Sequence, residues 1–376
     1  MEWASGLSVR TSMPSALAEV LAQVAKVNGP DLVLCFTSGG LNAQLGPLTD
    51  ALSGTFRDAC VMGAASHGVI GGSREIEGDP ALSVVVARLP DVQLAPFVVH
   101  PDDAIWSADR WRGEVAAARG ALLFSDPYSI DVMPWLGTLQ NAWPGVPIVG
   151  GLGSAEARLE GPRFVLNGAH LNGGIVGLGW SGRVRFSSRV AQGCRPIGAP
   201  MFVTRSDGNH IFELDGRPAV DVLRELHEQL DPMDQALFGN SLFIGLQMRD
   251  QTEYAQGDFL IRNVVGVSKD PTALVIAAVP ERFEVVQMHL RDARAAHEDL
   301  KSVLAPEASP RGALLVSCVG RGRGLFGESN HDSDQFAERF GTVPLGGVFA
   351  NGEIGPVQGQ PYVHGYTSVF ALFEEE

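Results

Sequence analysis

The chain has 376 residues, of which 45% are apolar and 19% are charged, and it contains 45 glycines. This length and apolar content are enough for two or three globular cores and exclude an intrinsically disordered protein. The formal net charge of −15 at pH 7 would repel nucleic acids and anionic membrane surfaces, and no dense block of lysine or arginine offsets it. The composition therefore argues against nucleic-acid and membrane partners.

The N-terminal segment has no basic region followed by an apolar core, and the longest uninterrupted apolar run, residues 273–279, is far shorter than a membrane span. We therefore expect a cytoplasmic protein. The four cysteines form no C-x-x-C pair, and two of them lie in apolar, strand-like runs. Disulfides and a structural metal site are accordingly not expected.

In chain order, residues 15–27 have the three- and four-residue apolar spacing of an amphipathic helix. A unit of strand, helix, strand and strand follows to about residue 89, and a looser unit of the same kind covers residues 121–180. Residues 312–376 repeat the pattern once more. The sequence thus predicts an α/β fold with two lobes, in which mixed β-sheets are built from duplicated strand-helix-strand-strand units with helices packed outside.

The internal repeat rests on glycine spacing. Gly63, Gly68 and Gly71 are separated by five and three residues, as are Gly347, Gly352 and Gly355. Cys35 lies four residues before Gly39, and Cys318 lies four residues before Gly322. On this alignment the two cysteines occupy equivalent places at the end of a strand.

A boundary between the lobes is expected near residue 185. Residues 183–194 alternate like a β-strand, and the two prolines in residues 195–200 are typical of a hinge. The predicted domains are residues 1–185 and residues 186–376.

Several motifs of the second half, in this order, resemble the FIST family. They are Gln192-Gly-Cys-Arg-Pro-Ile-Gly198, Glu213-Leu-Asp-Gly-Arg-Pro-Ala219, Arg262-Asn-Val-Val-Gly-Val267, His289-Leu-Arg-Asp-Ala293, Ser317-Cys-Val-Gly-Arg-Gly322 and Gly352-Glu-Ile-Gly-Pro356. The first lobe resembles the N-terminal FIST domain and the second lobe resembles the C-terminal one. The resemblance implies a sensory, signal-transducing protein that binds a small ligand, with amino acids proposed as ligands and haem linked to some members. Because little chain is left for an output domain, signalling would need a separate partner protein.

Three alternative chemistries are open. Gly322-Arg-Gly-Leu-Phe-Gly327 matches the G-x-G-x-x-G pattern of dinucleotide sites, but a lone match is weak and three acids follow it where phosphate would lie. Cys318 could serve an enzyme as a nucleophile if a base and a cation lay beside it, although a buried structural cysteine is the plainer interpretation. Haem would need an axial ligand such as His67 or His289. No catalytic residue, metal ligand or cofactor is assigned, and a non-enzymatic protein is favoured.

The favoured ligand site lies where two strands of residues 312–356 end in glycine turns. Arg321 offers a planar fork for a carboxylate, while Glu353 and Asn351 can receive an ammonium and a second polar group, as in an amino acid. The opposing interpretation is that Arg321 and Glu353 only pair with each other. The remaining residues assigned to ligand binding are Ser317, Cys318, Ser38 and His67.

Overall fold

The computed structural model describes residues 1–305 and 307–376. Its α-helices are α1 (Met13–Val24), α2 (Leu45–Thr55), α3 (Ala108–Glu114), α4 (Met133–Ala142), α5 (Ala219–Gln229), α6 (Pro232–Ser241), α7 (Ala293–Leu304), α8 (Gly322–Phe326) and α9 (His331–Phe340). A short 3-10 helix, Gly39–Gln44, precedes α2.

The chain divides into two compact units, and the division does not follow the order of the sequence. Unit 1 contains Met1–Ala191, Leu300–Val363 and Thr367–Glu376, whereas unit 2 contains Gln192–Asp299 and His364–Tyr366. Unit 1 therefore holds both ends of the chain. The boundary at residue 185 stays a prediction of where the two sequence domains meet.

The first two sheets of unit 1 have six strands each. Sheet 1 has the order β1-β6-β2-β3-β10-β11, with β1 (Glu2–Ser8), β2 (Leu32–Ser38), β3 (Cys60–Ser66), β6 (Ala81–Arg88), β10 (Phe164–Leu166) and β11 (Ala169–Leu171). Sheet 2 has the order β24-β23-β9-β8-β12-β7, with β7 (Val92–Val99), β8 (Gly120–Ser125), β9 (Ile148–Leu152), β12 (Ile175–Gly182), β23 (Glu353–Val357) and β24 (Gln360–His364).

Sheet 3 also has six strands and carries the segment singled out from the sequence. Its order is β13-β25-β21-β22-β4-β5, with β4 (Gly68–Gly71), β5 (Arg74–Glu77), β13 (Arg185–Gln192), β21 (Gly312–Cys318), β22 (Leu345–Ala350) and β25 (Thr367–Glu374). The two strands that the sequence predicts within residues 312–356 are therefore β21 and β22, which are neighbours in one sheet.

The three sheets share one pattern of strand pairing. In each, two strands joined by a helical connection pair in parallel: β2 with β3, β8 with β9, and β21 with β22. A later strand then returns antiparallel beside the first of the two. The hairpin that lies in the chain between the second parallel strand and the returning strand pairs with a different sheet: β4 pairs with β22, β10 with β3, and β23 with β9. Each of the three strand-helix-strand segments thus adds its hairpin to the sheet of another segment, in a cycle.

Glycine fixes the register of the parallel pairs. Gly150 lies opposite Leu123 and Gly347 lies opposite Leu315, and a Cβ at either glycine would stand 1.7 or 1.9 Å from the backbone oxygen of its partner. Cys35 occupies the corresponding place opposite Gly63. The predicted equivalence of Cys35 and Cys318 is therefore wrong by three residues, because Cys318 pairs instead with Ala350.

A single apolar core lies between the three sheets. It includes Phe36 of sheet 1, Phe124 and Trp180 of sheet 2, and Val316 and Phe373 of sheet 3. Helices α1 and α2, α3 and α4, and α7 and α9 contribute to the further apolar clusters of unit 1. The α/β class with mixed sheets and outer helices is confirmed.

Unit 2 is built on a seven-stranded sheet whose pairings are all antiparallel. Its order is β14-β20-β17-β18-β19-β15-β16, with β14 (Cys194–Asp207), β15 (His210–Leu214), β16 (Arg217–Pro218), β17 (Leu242–Gln247), β18 (Phe259–Lys269), β19 (Thr272–Ile276) and β20 (Val285–Arg291). Strand β14 also pairs with β15, which brings the two sides of the sheet together. Helices α5 and α6 pack on one apolar face of this sheet.

Candidate functional site

A buried polar cluster lies at the carboxyl ends of β21 and β22 in unit 1. Because these strands are parallel neighbours, their last residues, Cys318 and Ala350, are paired side by side. Strand β25 runs back antiparallel and pairs Ser368 with Ser317. Arg321 lies in the turn that follows β21, and Glu353 is the first residue of β23, directly after the turn that follows β22. Both residues have a relative exposure of 0%.

The Arg321 guanidinium is held by a carboxylate that the sequence analysis did not select. Its Nε and Nη2 atoms each donate to Asp332, at 2.9 Å in both cases. Asp332 is buried in the first turn of α9. This two-point pair is the geometry in which arginine binds carboxylates most firmly. The carboxylate that engages the fork of Arg321 is therefore Asp332 and not Glu353.

Three further side chains contact the Asp332 carboxylate. Ser317 Oγ donates to it at 3.2 Å, Ser368 Oγ makes a shorter hydrogen bond, and His331 Nδ1 lies 2.9 Å from its Oδ1. Burial alone would raise the pKa of Asp332, but the charge of Arg321 and the hydrogen bonds outweigh burial and hold the pKa well below its usual range. Asp332 is therefore ionised at neutral pH.

The pKa of Glu353 is shifted in the opposite direction to that of Asp332. Burial raises its pKa well above the usual value, and the hydrogen bonds from Thr367 N–H and the Cys318 thiol, together with the charge of Arg321, offset this only in part. Thr367 N–H donates to Oε2 at 3.1 Å. Glu353 Oε1 and Arg321 Nη1 are buried atoms without a hydrogen-bond partner. Such orphaned polar atoms are rare in folded proteins and call for an explanation.

The G-x-G-x-x-G segment binds a carboxylate of the protein itself. Arg323 N–H donates to Glu77 Oε1 at 3.1 Å, and a Cβ on Gly322 would lie 2.5 Å from the same oxygen. Gly322 also has a φ of +52°, so both its backbone conformation and the close approach of Glu77 favour glycine here. Helix α8 is only five residues long. The match to the dinucleotide pattern thus has a structural explanation.

A second glutamate of the β4–β5 hairpin reaches α9 in a similar way. Glu75 Oε1 accepts from Ser333 N–H at 2.7 Å. Burial, together with the nearby charge of Asp332, raises the pKa of Glu75 to about 8. Neither Glu75 nor Glu77 belongs to a motif that the sequence analysis recognised, because both lie far along the chain from the helices that they bind.

The other predicted residues lie in different surroundings. Asn351 is exposed, and its side-chain amide donates to Gly153 O at 3.1 Å. His67 is exposed, and its backbone N–H donates to Ser154 Oγ at 2.8 Å. Ser38 is buried and donates to Asp79 O at 2.6 Å. Ser317, Cys318, Arg321 and Glu353 therefore share one cluster, whereas His67 and Asn351 both bind residues 153–154 and Ser38 binds elsewhere.

The cysteines and His289 bear on the alternative chemistries. All four cysteines are present as thiols, and burial raises the pKa of Cys35 to about 12. His289 in unit 2 is buried, its Nδ1 lies 3.0 Å from Gln287 O, and its Nε2 has no partner. Burial lowers the pKa of His289 to about 4. A cavity of about 660 Å³ in this unit is lined by other residues, among them Phe202, Tyr254 and Phe283, and not by His289.

Among the described residues, no group of three or more His, Cys, Asp or Glu side chains is placed to hold a metal ion. In the same part of the chain, no helix combines the length and apolar character needed to cross a membrane.

The fold and the cluster define a two-domain α/β protein with a buried charged site at the ends of parallel strands. The FIST N domain matches residues 31–217 and the FIST C domain matches residues 219–356. The chain belongs to the FIST family, whose domains are associated with sensory and signal-transduction roles.

Two relatives that are similar over most of their length bear the description uncharacterized protein. An uncharacterized protein of Mycobacterium tuberculosis is 35% identical over 98% of each chain. An uncharacterized protein of Mycobacterium bovis is 34% identical over 90% of this chain and 89% of its own length. The human F-box only protein 22 is 34% identical over 98 residues, which are 22% of this chain and 24% of that protein.

Proposed function

We propose that the protein is a sensory module that binds a small metabolite with a carboxylate group at the cluster around Arg321 and Glu353. The observation that carries this proposal is the pair of orphaned atoms, Arg321 Nη1 and Glu353 Oε1. Leaving a buried polar atom unpaired costs about 1–3 kcal/mol, and more when the group is charged. A ligand that supplied both partners would recover this free energy.

The position of the cluster supports the same conclusion. In α/β sheets, ligands bind beyond the carboxyl ends of parallel strands, where loops converge. Arg321 and Glu353 follow the parallel strands β21 and β22. Nη1 of the guanidinium is suited to a carboxylate oxygen, and the Glu353 carboxyl group is suited to an amino group. Together they match the two ends of an amino acid.

The protonation states make the proposal testable. Because burial raises the pKa of Glu353 well above its usual value, this carboxyl group is protonated before binding. An ammonium group beside it would favour ionisation, so binding would release a proton. Because the cluster is buried, a ligand has to displace a neighbouring segment. We propose that this segment is α9, which carries Asp332, and that its displacement transmits the signal to a separate partner protein.

The test is calorimetry on the full chain against a panel of amino acids, their decarboxylated amines and their N-acetyl derivatives. We expect binding of an intact amino acid, with a heat that varies with the ionisation enthalpy of the buffer as proton release requires. Glu353→Gln should remove the buffer dependence and weaken binding.

Two arginine variants test whether binding depends on the geometry of Arg321 or only on positive charge in this region. Arg321→Lys keeps the charge but loses the fork and should weaken binding, whereas Arg323→Gln, two residues further along on α8, should leave it unchanged. If no compound in the panel binds, or if both variants behave alike, the proposed site is wrong.

A cysteine-dependent enzyme is the second candidate function. It is favoured by the Cys318 thiol, which hydrogen-bonds to Glu353 and lies in the field of Arg321. Against it, the charge of Arg321 is engaged by Asp332, and Cys318 is buried. Rapid and selective alkylation of Cys318 by iodoacetamide at neutral pH would favour the enzyme, and slow alkylation would favour the sensor.

A further inference from the structure

Unit 2 contains a cavity of about 660 Å³ beside β14, the end of β17 and the start of β20. Three aromatic side chains line it, from Phe202, Tyr254 and Phe283, together with the carboxylates of Asp250 and Glu253. Its lining, within the described part of the chain, contains no lysine, arginine or histidine. The cavity therefore combines aromatic surface with negative charge.

Phe283, which lines this cavity, has an unfavourable backbone conformation. Its φ angle is +68°, in the left-handed region that bulky residues rarely enter. The conformation is held by hydrogen bonds from Phe283 N–H to Val203 O at 2.8 Å and from Val203 N–H to Glu284 O at 3.0 Å. Nevertheless the side chain is 56% exposed, so packing in the core does not offset the strain. Strain without burial is typical of functional positions.

Phe202 on β14 adds a second exposed ring, with a relative exposure of 52%. Large apolar side chains that are exposed together beside a cavity commonly mark a binding site.

The polar wall of the cavity is organised by hydrogen bonds. Gln247 Nε2 donates to Asp250 Oδ1 at 2.8 Å, and the Tyr254 hydroxyl donates to Gln247 Oε1. The Gln247 side chain therefore contacts both the Asp250 carboxylate and the Tyr254 hydroxyl, and it orients both groups. The negative charge and one of the aromatic rings are thus positioned before any ligand arrives.

We propose that this cavity binds a small organic cation, an ammonium ion with an apolar body, between the aromatic rings and the carboxylates. Aromatic faces attract cations, most effectively weakly hydrated ammonium and guanidinium groups. The guanidinium of Arg282 lies 4.7 Å from the centroid of the Phe283 ring, so a ligand cation at this ring would have to share it with Arg282 or displace that side chain. A bare metal ion would instead require several oxygen ligands and no aromatic surface.

The proposal is tested with choline and its uncharged isostere 3,3-dimethylbutan-1-ol, which have the same shape and differ in charge. Titration of the full chain, followed by calorimetry or by ligand NMR, should show that choline binds about tenfold more tightly than the alcohol. Asp250→Asn should reduce this preference, because it removes charge and keeps shape. Val279→Ala is the control, since Val279 is 72% exposed and lies outside the cavity lining.

Phe283→Gly separates a binding role from a structural one. Glycine tolerates positive φ, so the variant should keep or raise the calorimetric melting temperature of the full chain while losing choline binding about tenfold. Unchanged choline binding in this variant would overturn the proposal. So would equal affinity for choline and the alcohol, or no choline binding to the intact chain at the highest soluble concentration.

Discussion

Replacement of Asp332 by Asn should destabilise unit 1 strongly, because it leaves the Arg321 guanidinium buried without a counter-charge. Both side chains are essentially inaccessible, with relative exposures of 0% and 1%. Breaking a buried ion pair from one side costs about 3–5 kcal/mol. Since domains are stable by only about 5–15 kcal/mol, this change removes a large share of the total.

Tryptophan fluorescence during urea unfolding is a selective assay. All six tryptophans, at positions 3, 106, 111, 135, 143 and 180, lie in unit 1. The midpoint and slope of the fluorescence transition therefore give the free energy of unfolding of the unit that contains the ion pair. The matched control is Asp334→Asn, an exposed aspartate in the same helical turn, for which we expect a change within about 0.5 kcal/mol.

The double variant Arg321→Met/Asp332→Asn tests the cause of the destabilisation. Once the guanidinium is removed, the loss of its counter-charge no longer matters, so the two changes together should cost less than the sum of the single changes, by about 1–3 kcal/mol. The explanation fails if the costs are additive, or if Asp332→Asn costs no more than Asp334→Asn.

Three further predictions follow from other contacts in unit 1. The pKa of Glu75 is raised from 4.5 to about 8, so the folded state binds more protons than the unfolded chain between these values. Stability should therefore fall as the pH rises through this window, and Glu75→Gln should flatten that part of the urea-midpoint profile. Gly347→Ala would place a Cβ 1.9 Å from Leu315 O and should cost at least about 3 kcal/mol by fluorescence, whereas Gly324→Ala, with open space around it, should cost almost nothing; equal costs would contradict the register argument. Burial raises the pKa of Cys35 to about 12, so mass spectrometry should show that iodoacetamide labels Cys35 only after unfolding, and labelling at the same rate in folded protein would show that the thiol is accessible.

Much of the fold follows from patterns between near neighbours in the chain. The apolar runs at 312–318 and 345–350, the helical spacing after residue 15 and the glycine turns each depend on the preferences of a few adjacent residues. The same local patterns indicated FIST membership and placed Ser317, Cys318, Arg321 and Glu353 near one another, because parallel strands end at the same edge of a sheet.

The choice of partners was decided only by the tertiary structure. Several acidic residues follow Arg321 in the sequence, and the position of α9 selects Asp332, 11 residues away, over Glu353. Arg323 N–H binds Glu77, 246 residues away, through a hairpin that has left its own sheet. Local sequence determines which element forms, but the atom that reaches a given donor depends on how distant elements are registered against one another. For the same reason, the sequence marked Gly322 as a turn residue, and only the fold showed which carboxylate approaches it.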